Sequence, residues 1–223
     1  MNILIIGNEV NFKECQQKFG ETHSYTLKHN QREGALLFEQ QDLIFDFCID
    51  KDPSQMKVYR GYPNVVAFLN TAKINLSQLA ANVNHQIDCS LFGFAGLPSF
   101  LNREILEASL YRAEQKSKLE EICSKLNTKF QLVEDRVGLV TPRVICMIIN
   151  EAYYTAEEGT ATREDIDLAM KLGTNYPYGP FEWAQKIGIR NVYEVLRAVY
   201  EDTKDERYVI CPLLKKEYLL QLA

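Results

Sequence analysis

The run Ile3-Leu4-Ile5-Ile6, closed by Gly7, constrains the fold more than any other part of the chain, because it is apolar without alternation. An extended segment of that kind is apolar on both faces, which suits a strand covered on both sides, as central strands of parallel sheets are. Parallel neighbours need a crossover, and the stretch from Glu9 to Phe19 can supply a helix for it. Short β-rich stretches bounded by turn residues follow at Tyr25 to His29, Leu43 to Ile49, Val65 to Leu69 and Cys89 to Phe94. Strands alternating with short helical pieces predict an α/β sheet over roughly the first 130 residues.

Composition permits such a core: of 223 residues, 46% are hydrophobic and 25% charged. With 25 Lys+Arg against 30 Asp+Glu and a net charge of -5, there is no basic field to neutralise a phosphate backbone, so no nucleic-acid partner is expected. The six cysteines are scattered without a CxxC pair or a suitably placed histidine, and read as buried reduced thiols rather than metal ligands. The opening MNILIIGNEV lacks a cationic leader, and no run approaches the roughly 18 apolar residues of a membrane span. A cytoplasmic chain without membrane contact is expected.

After Asp135 the pattern changes. Val144, Ile145, Ile148, Ile149, Ala152 and Ala156 recur at helical spacing and predict a buried helix. Thr162 and Asp165 have capping-box form, with Ile166, Ala169 and Met170 expected to face inward until Gly173. A helix from Phe181 to Ile187, entered through Pro180 and stopped by Gly188, and another from Asn191 to Val199 complete the series. The expected organisation is an α/β domain over 1–134 and an all-α domain over 135–223.

The helical part carries specific motifs: Asp135 with Gly138-Leu139-Val140, Asn150-Glu151-Ala152, Glu158-Gly159, Asp165 to Gly173, and Tyr176-Pro177-Tyr178-Gly179-Pro180. This region resembles the C-terminal domain of 3-hydroxyacyl-CoA dehydrogenases, with GTNYPYGPFEW and ERYVICPLL most like the 3-hydroxybutyryl-CoA and 3-hydroxyadipyl-CoA branch. Upstream, QDLIFDF and Asn70-Thr71 resemble the family more weakly. The resemblance implies a Rossmann-type domain that binds NAD, oxidation of the 3-hydroxyl of an acyl-CoA, and dimerisation through the helical domain.

The residues at the family's functional positions depart from that chemistry. Of the GxGxxG loop only Gly7 remains; Glu9 and Phe12 stand at the other two glycine positions. A carboxylate about 4 Å from a phosphate charge costs about 4 kcal/mol at an effective dielectric of 20, about half of a micromolar binding energy. No carboxylate stands near His29 to grip a ribose; Lys28, His29 and Arg32 leave open a 2'-phosphate as in NADP, against a solvated basic strand end. Counting back twelve residues from Glu104 puts Phe92 at the position of the family's catalytic histidine, while Pro142 and Ala72 replace its asparagine and serine. Glu104 and Gly7 are then the remnants of the catalytic and cofactor sites. The segment between the second and third strands, Asn30 to Asp42, is shorter than the family's, and the chain stops soon after Cys211-Pro212-Leu213-Leu214.

The resulting expectation is a reduced Rossmann-like domain followed by a helical dimerisation domain. Its function would be that of a 3-hydroxybutyryl-CoA dehydrogenase-like protein with NAD-dependent turnover lost or strongly reduced. NAD is implied only by the resemblance, and the protein would bind acyl-CoA or a partner, as homodimer or with a paralogue. The alternative is an active short-chain 3-hydroxyacyl-CoA dehydrogenase using a non-standard base.

Overall fold

The computed structural model describes residues 1–222. It divides into two compact units, Met1–Leu139 and Val140–Ala223. The boundary therefore falls after Leu139 rather than after residue 134. The cause is Asp135, whose carboxylate accepts hydrogen bonds from the backbone N–H of Leu76 (2.8 Å) and Ser77 (3.0 Å) and from the Ser77 hydroxyl (3.1 Å). These bonds keep the connecting segment with the first unit until Gly138 (φ 82°) and Leu139 (φ 46°) turn the chain.

The first unit is built on a seven-stranded sheet. Its strands are β1 (Asn2–Ile6), β2 (Ser24–Lys28), β3 (Leu43–Asp46), β4 (Val66–Asn70), β5 (Ser90–Phe94), β6 (Ile105–Leu110) and β7 (Lys129–Leu132), in the order β2-β1-β3-β4-β5-β6-β7. Every pairing is parallel except β5 with β6. Helices α1 (Glu9–Phe19), α2 (Gln31–Ala35), α3 (Leu76–Ala81) and α4 (Lys116–Lys125), with a 3-10 segment over Pro53–Tyr59, form the connections. All five strands expected from sequence are present; β6, α4 and β7 add to them.

Alternation along the strands explains why the sheet is covered on both faces. Ile3, Ile5, Phe45, Phe68 and Phe92 point to one side, where Cys15 and Phe19 of α1 and Leu119 and Ile122 of α4 cover them. Leu4, Ile6, Ile44 and Ala67 point to the other, under α3 and the Pro53–Tyr59 segment. On the first face Phe19, Phe45, Phe68 and Phe92 contact in succession, with ring centroids 5.1, 4.9 and 5.2 Å apart.

The second unit comprises α5 (Thr141–Glu157), α6 (Arg163–Thr174), α7 (Pro180–Ile187), α8 (Ile189–Thr203) and α9 (Pro212–Leu220). Ile145, Ile149 and Ala152 of α5 are buried as expected, whereas Val144 is 50% exposed. Thr162 caps α6 through the Asp165 N–H (3.2 Å), as its spacing predicts. The inward face of α6 differs from expectation: Ala169 is exposed and Asp167 is buried beside Ile166. The helix continues past Gly173 to a left-handed Asn175 (φ 56°). The six cysteines are free, and burial raises the Cys15, Cys89 and Cys123 thiols, which suppresses their reactive thiolate form.

Candidate functional site

In an open parallel sheet, ligands bind beyond the carboxyl ends of the strands where the strand order reverses. Here that point lies between β1 and β3, so Gly7 and Asp46 mark it. The N-terminus of α1 would have to offer free amides to a pyrophosphate. Those of Val10 and Asn11 are taken: Asn8 Oδ1 accepts from the N–H of Val10 (2.9 Å) and Asn11 (3.0 Å), and Asn11 Oδ1 accepts from the Asn8 N–H (3.0 Å). Gly7 is required for this arrangement. A Cβ at residue 7 would lie 2.6 Å from Asn11 Oδ1, so the missing side chain makes room for Asn11 and not for a phosphate.

Phe12 packs against the core and meets Tyr25 edge-on at 6.1 Å, so a ring fills the third glycine position, where glycine would let helix and strand approach closely. His29 Nδ1 lies 3.2 Å from the Gly7 carbonyl oxygen, and Arg32 is exposed. At the end of β3, Asp46 is completely buried and accepts from the Cys48 N–H (2.8 Å), Gln31 Nε2 (3.1 Å) and the Tyr59 hydroxyl (2.9 Å). Burial pushes its carboxyl up to about 6, against the opposing effect of those three bonds. A self-capped helix, two bulky residues at glycine positions and an acid on the floor do not fit a dinucleotide.

The second group of expected site residues is not brought together. Phe92 is a mid-strand core residue paired with Leu110. Glu104 precedes β6, and the span from Glu104 to Leu110 is about 20 Å at the rise of an extended strand. Its carboxylate instead lies 2.7 Å from Lys129 Nζ, and that bond holds it below the usual carboxylate range. The Phe92–Glu104 register drawn from sequence is therefore corrected. It fails because residues 95–104 form a loop held over α1, through the Ser99 N–H to Glu14 Oε1 (2.6 Å) and Lys18 Nζ to the Glu104 carbonyl (3.0 Å).

The acid carried inside the ladder is Glu107. Phe94 pairs with Ala108, so continuing the register sets Glu107 opposite Ala95. Sequence counting missed it, although the Ile105–Leu110 stretch is apolar enough to read as a strand. A base facing Glu107 across the ladder would have to stand at 94 or 95, and phenylalanine and alanine cannot take a proton. Ala72 is a buried methyl whose N–H donates to Asn70 Oδ1 at 3.3 Å. Pro142 is buried in the first turn of α5, where its lack of an N–H costs nothing. His85 lies on a turn with Nδ1 3.1 Å from the Tyr111 hydroxyl oxygen. Among the described residues no group of three His, Cys, Asp or Glu side chains is arranged to hold a metal, and no helix is long and apolar enough to cross a membrane.

In the helical unit the motif residues act as clamps. Asn150 is buried; its Nδ2 donates to the Val209 carbonyl (2.8 Å) and its Oδ1 accepts from the Cys211 N–H (2.9 Å), tying the ERYVICPLL segment to α5. Asp167 caps α7 through the N–H of Phe181 (2.8 Å) and Glu182 (3.1 Å). Glu182 in turn accepts from the Gly179 N–H (3.1 Å). Trp183 is buried against Tyr176 (5.4 Å) and Tyr178 (6.3 Å).

Residues 138–221 match the family described as "3-hydroxyacyl-CoA dehydrogenase, C-terminal domain". A 3-hydroxybutyryl-CoA dehydrogenase of Bradyrhizobium diazoefficiens is 29% identical over 187 residues, 78% of this chain and 62% of that protein. A 3-hydroxyadipyl-CoA dehydrogenase of Escherichia coli is 39% identical over 89 residues, 40% of this chain and 19% of that protein. The chain thus spans less than two thirds of the length of these relatives. The solved (S)-3-hydroxybutyryl-CoA dehydrogenase of Ralstonia eutropha shares the fold, with a TM-score of 0.70 at 18% identity, over 99% of this chain and 94% of that one. Fold, helical motifs and these relatives agree: residues 138–221 belong to the family of 3-hydroxyacyl-CoA dehydrogenase C-terminal domains, and the chain as a whole is similar in sequence and fold to dehydrogenases that carry that domain.

Proposed function

We propose that this chain is a 3-hydroxybutyryl-CoA dehydrogenase-like protein of acyl-CoA metabolism that has lost NAD-dependent turnover and acts in the cytoplasm by binding acyl-CoA or a protein partner. The observation that carries the reading is the Asn8–Asn11 capping box, which occupies the Val10 and Asn11 amides at the end of α1 where a pyrophosphate would sit. Apolar residues at 92, 94 and 95 support it, since loss of a general base alone costs about 10²–10⁴ in rate.

Purified protein given acetoacetyl-CoA with NADH or NADPH is expected to oxidise neither nucleotide above the buffer rate. Saturable, protein-dependent oxidation overturns the reading and favours the active dehydrogenase with another base. A heat of binding on titration with CoA or acetoacetyl-CoA supports the acyl-CoA branch; its absence leaves the partner branch.

For that partner, a second copy or a paralogue fits the exposed apolar side chains of the helical unit, among them Leu168 (53%) and Leu172 (77%) one turn apart on α6. Light scattering at micromolar concentration is expected to give twice the chain mass, and a monomer counts against the homodimer.

A further inference from the structure

We infer that Asp46 is a proton-operated clamp on the carboxyl edge of the sheet: its buried carboxyl group ties α2 and the β3–β4 crossover to β3, and its ionisation loosens both. The geometry places one carboxyl group between two short elements. Oδ1 accepts from Gln31 at the start of α2 and from the Cys48 N–H, while Oδ2 accepts from the Tyr59 hydroxyl at the end of the Pro53–Tyr59 segment. Tyr59 is itself fully buried and stacked on Phe38 at 5.1 Å, so no water can reach the carboxyl without that ring moving.

Neutral, the carboxyl group still bridges the same elements, because Oδ1 continues to accept from Gln31 and Cys48 and the proton on Oδ2 can be donated to the Tyr59 oxygen in place of the bond that Tyr59 donates. Ionised, it is a charge at zero exposure with no cation among its hydrogen-bond partners, and opening to water relieves that cost. The ionisable surroundings oppose the charge. Asp50 on the same segment raises the Asp46 pKa, although Lys73 lies 3.5 Å from Asp50 Oδ2. The Tyr59 hydroxyl is a neutral donor with a raised pKa, burial raises the Cys48 thiol although Lys51 opposes the shift, and Cys89 lies beyond Tyr59. Arg32 and Glu33 of α2, and Lys57 of the crossover, are exposed, while His29 lies against the Gly7 carbonyl.

The sign follows from linkage. The folded group titrates near 6 against 3.8 when exposed, so the clamp is tightest at low pH and weakens as pH rises through about 6. If opening exposes Asp46, the open fraction grows about tenfold between pH 5 and pH 8.

Hydrogen–deuterium exchange of the whole chain, corrected for intrinsic rates, reads this at the Gly34, Cys48 and Gln55 amides, which donate to Asn30 O, Asp46 Oδ1 and Asp52 O. Protection at these sites is expected to fall about tenfold from pH 5 to pH 8 in the wild type, with Ile5 and Phe68 unchanged, and to become independent of pH in Asp46→Asn. A tenfold fall that persists in Asp46→Asn, or no fall in the wild type, overturns the clamp. Should Asp46→Asn fail to fold, carbon NMR titration of wild-type Asp46 decides: a midpoint near 6 is expected, and one below about 4.5 overturns the proposal. Tyr59→Phe, which removes one donor to the carboxylate, is expected to move that midpoint upward. The test involves neither nucleotide nor CoA, so its failure is distinct from failure of the functional reading.

Discussion

Asn150→Ala is expected to lower the thermal midpoint of the helical unit by about 5–10 °C. The substitution removes the partner of the buried Cys211 N–H and one donor to the Val209 carbonyl, to which the Tyr154 hydroxyl also donates (3.5 Å). An unsatisfied buried group costs about 1–3 kcal/mol, so the loss is about 1–2 kcal/mol. For a domain of this size each kcal/mol is worth about 4–8 °C. Thermal unfolding followed by circular dichroism checks the value, and a shift below about 2 °C would mean that the ERYVICPLL segment is held by other contacts. The asparagine is needed as an amide: only a side chain that both donates and accepts can serve a carbonyl and an N–H of one extended segment.

Gly179→Ala is expected to destabilise the same unit by about 2–3 kcal/mol for a different reason. Its φ of −72° suits any residue, so backbone strain is not involved. The obstacle is steric, since a Cβ would lie 2.3 Å from Asp167 Cγ and 2.4 Å from Asp167 Oδ1. The carboxylate must leave, and the Phe181 and Glu182 amides lose their cap. A double-mutant cycle separates this from a general packing loss. In an Asp167→Gly background, which also removes the Asp167 Cβ that would lie 2.4 Å away, the alanine at 179 is expected to add less than about 1 kcal/mol; an undiminished penalty there would show that Asp167 is not what the glycine accommodates.

These two sites show what the family's helical motifs do in this chain. Asn150, Asp167, Gly179 and Glu182 satisfy backbone groups at helix ends and along one extended segment. They persist whenever the helical fold persists, whether or not a hydride is ever transferred. The positions able to carry chemistry lie in the first unit, and there Asn8, Asn11, Phe92, Phe94 and Ala95 serve capping and packing.

Much of the architecture could be read in advance where a single physical requirement dominates. Ile3–Ile6 announces a strand covered on both faces, and Pro180 with Gly188 brackets α7. Two kinds of feature escaped. α4 is a charge-rich helix carrying Lys116, Lys118, Glu120, Glu121 and Lys125, and its inward residues Leu119, Ile122 and Cys123 are too few to declare it. Asp167 escaped because its partners are main-chain amides far along the chain, which no pattern of side chains reveals. The misplaced Glu104 has a third cause. Counting residues assumes that a loop has the family's length, whereas the antiparallel β5–β6 ladder alone decides which acid faces which strand.

Trp183 is the chain's one tryptophan, and it lies in the helical unit with Tyr176 and Tyr178 beside it. Its emission therefore serves as a built-in optical gauge of that half alone. The sheet unit, which has no tryptophan, stays dark under excitation selective for indole, so unfolding of the helical half can be followed by itself without attaching a dye.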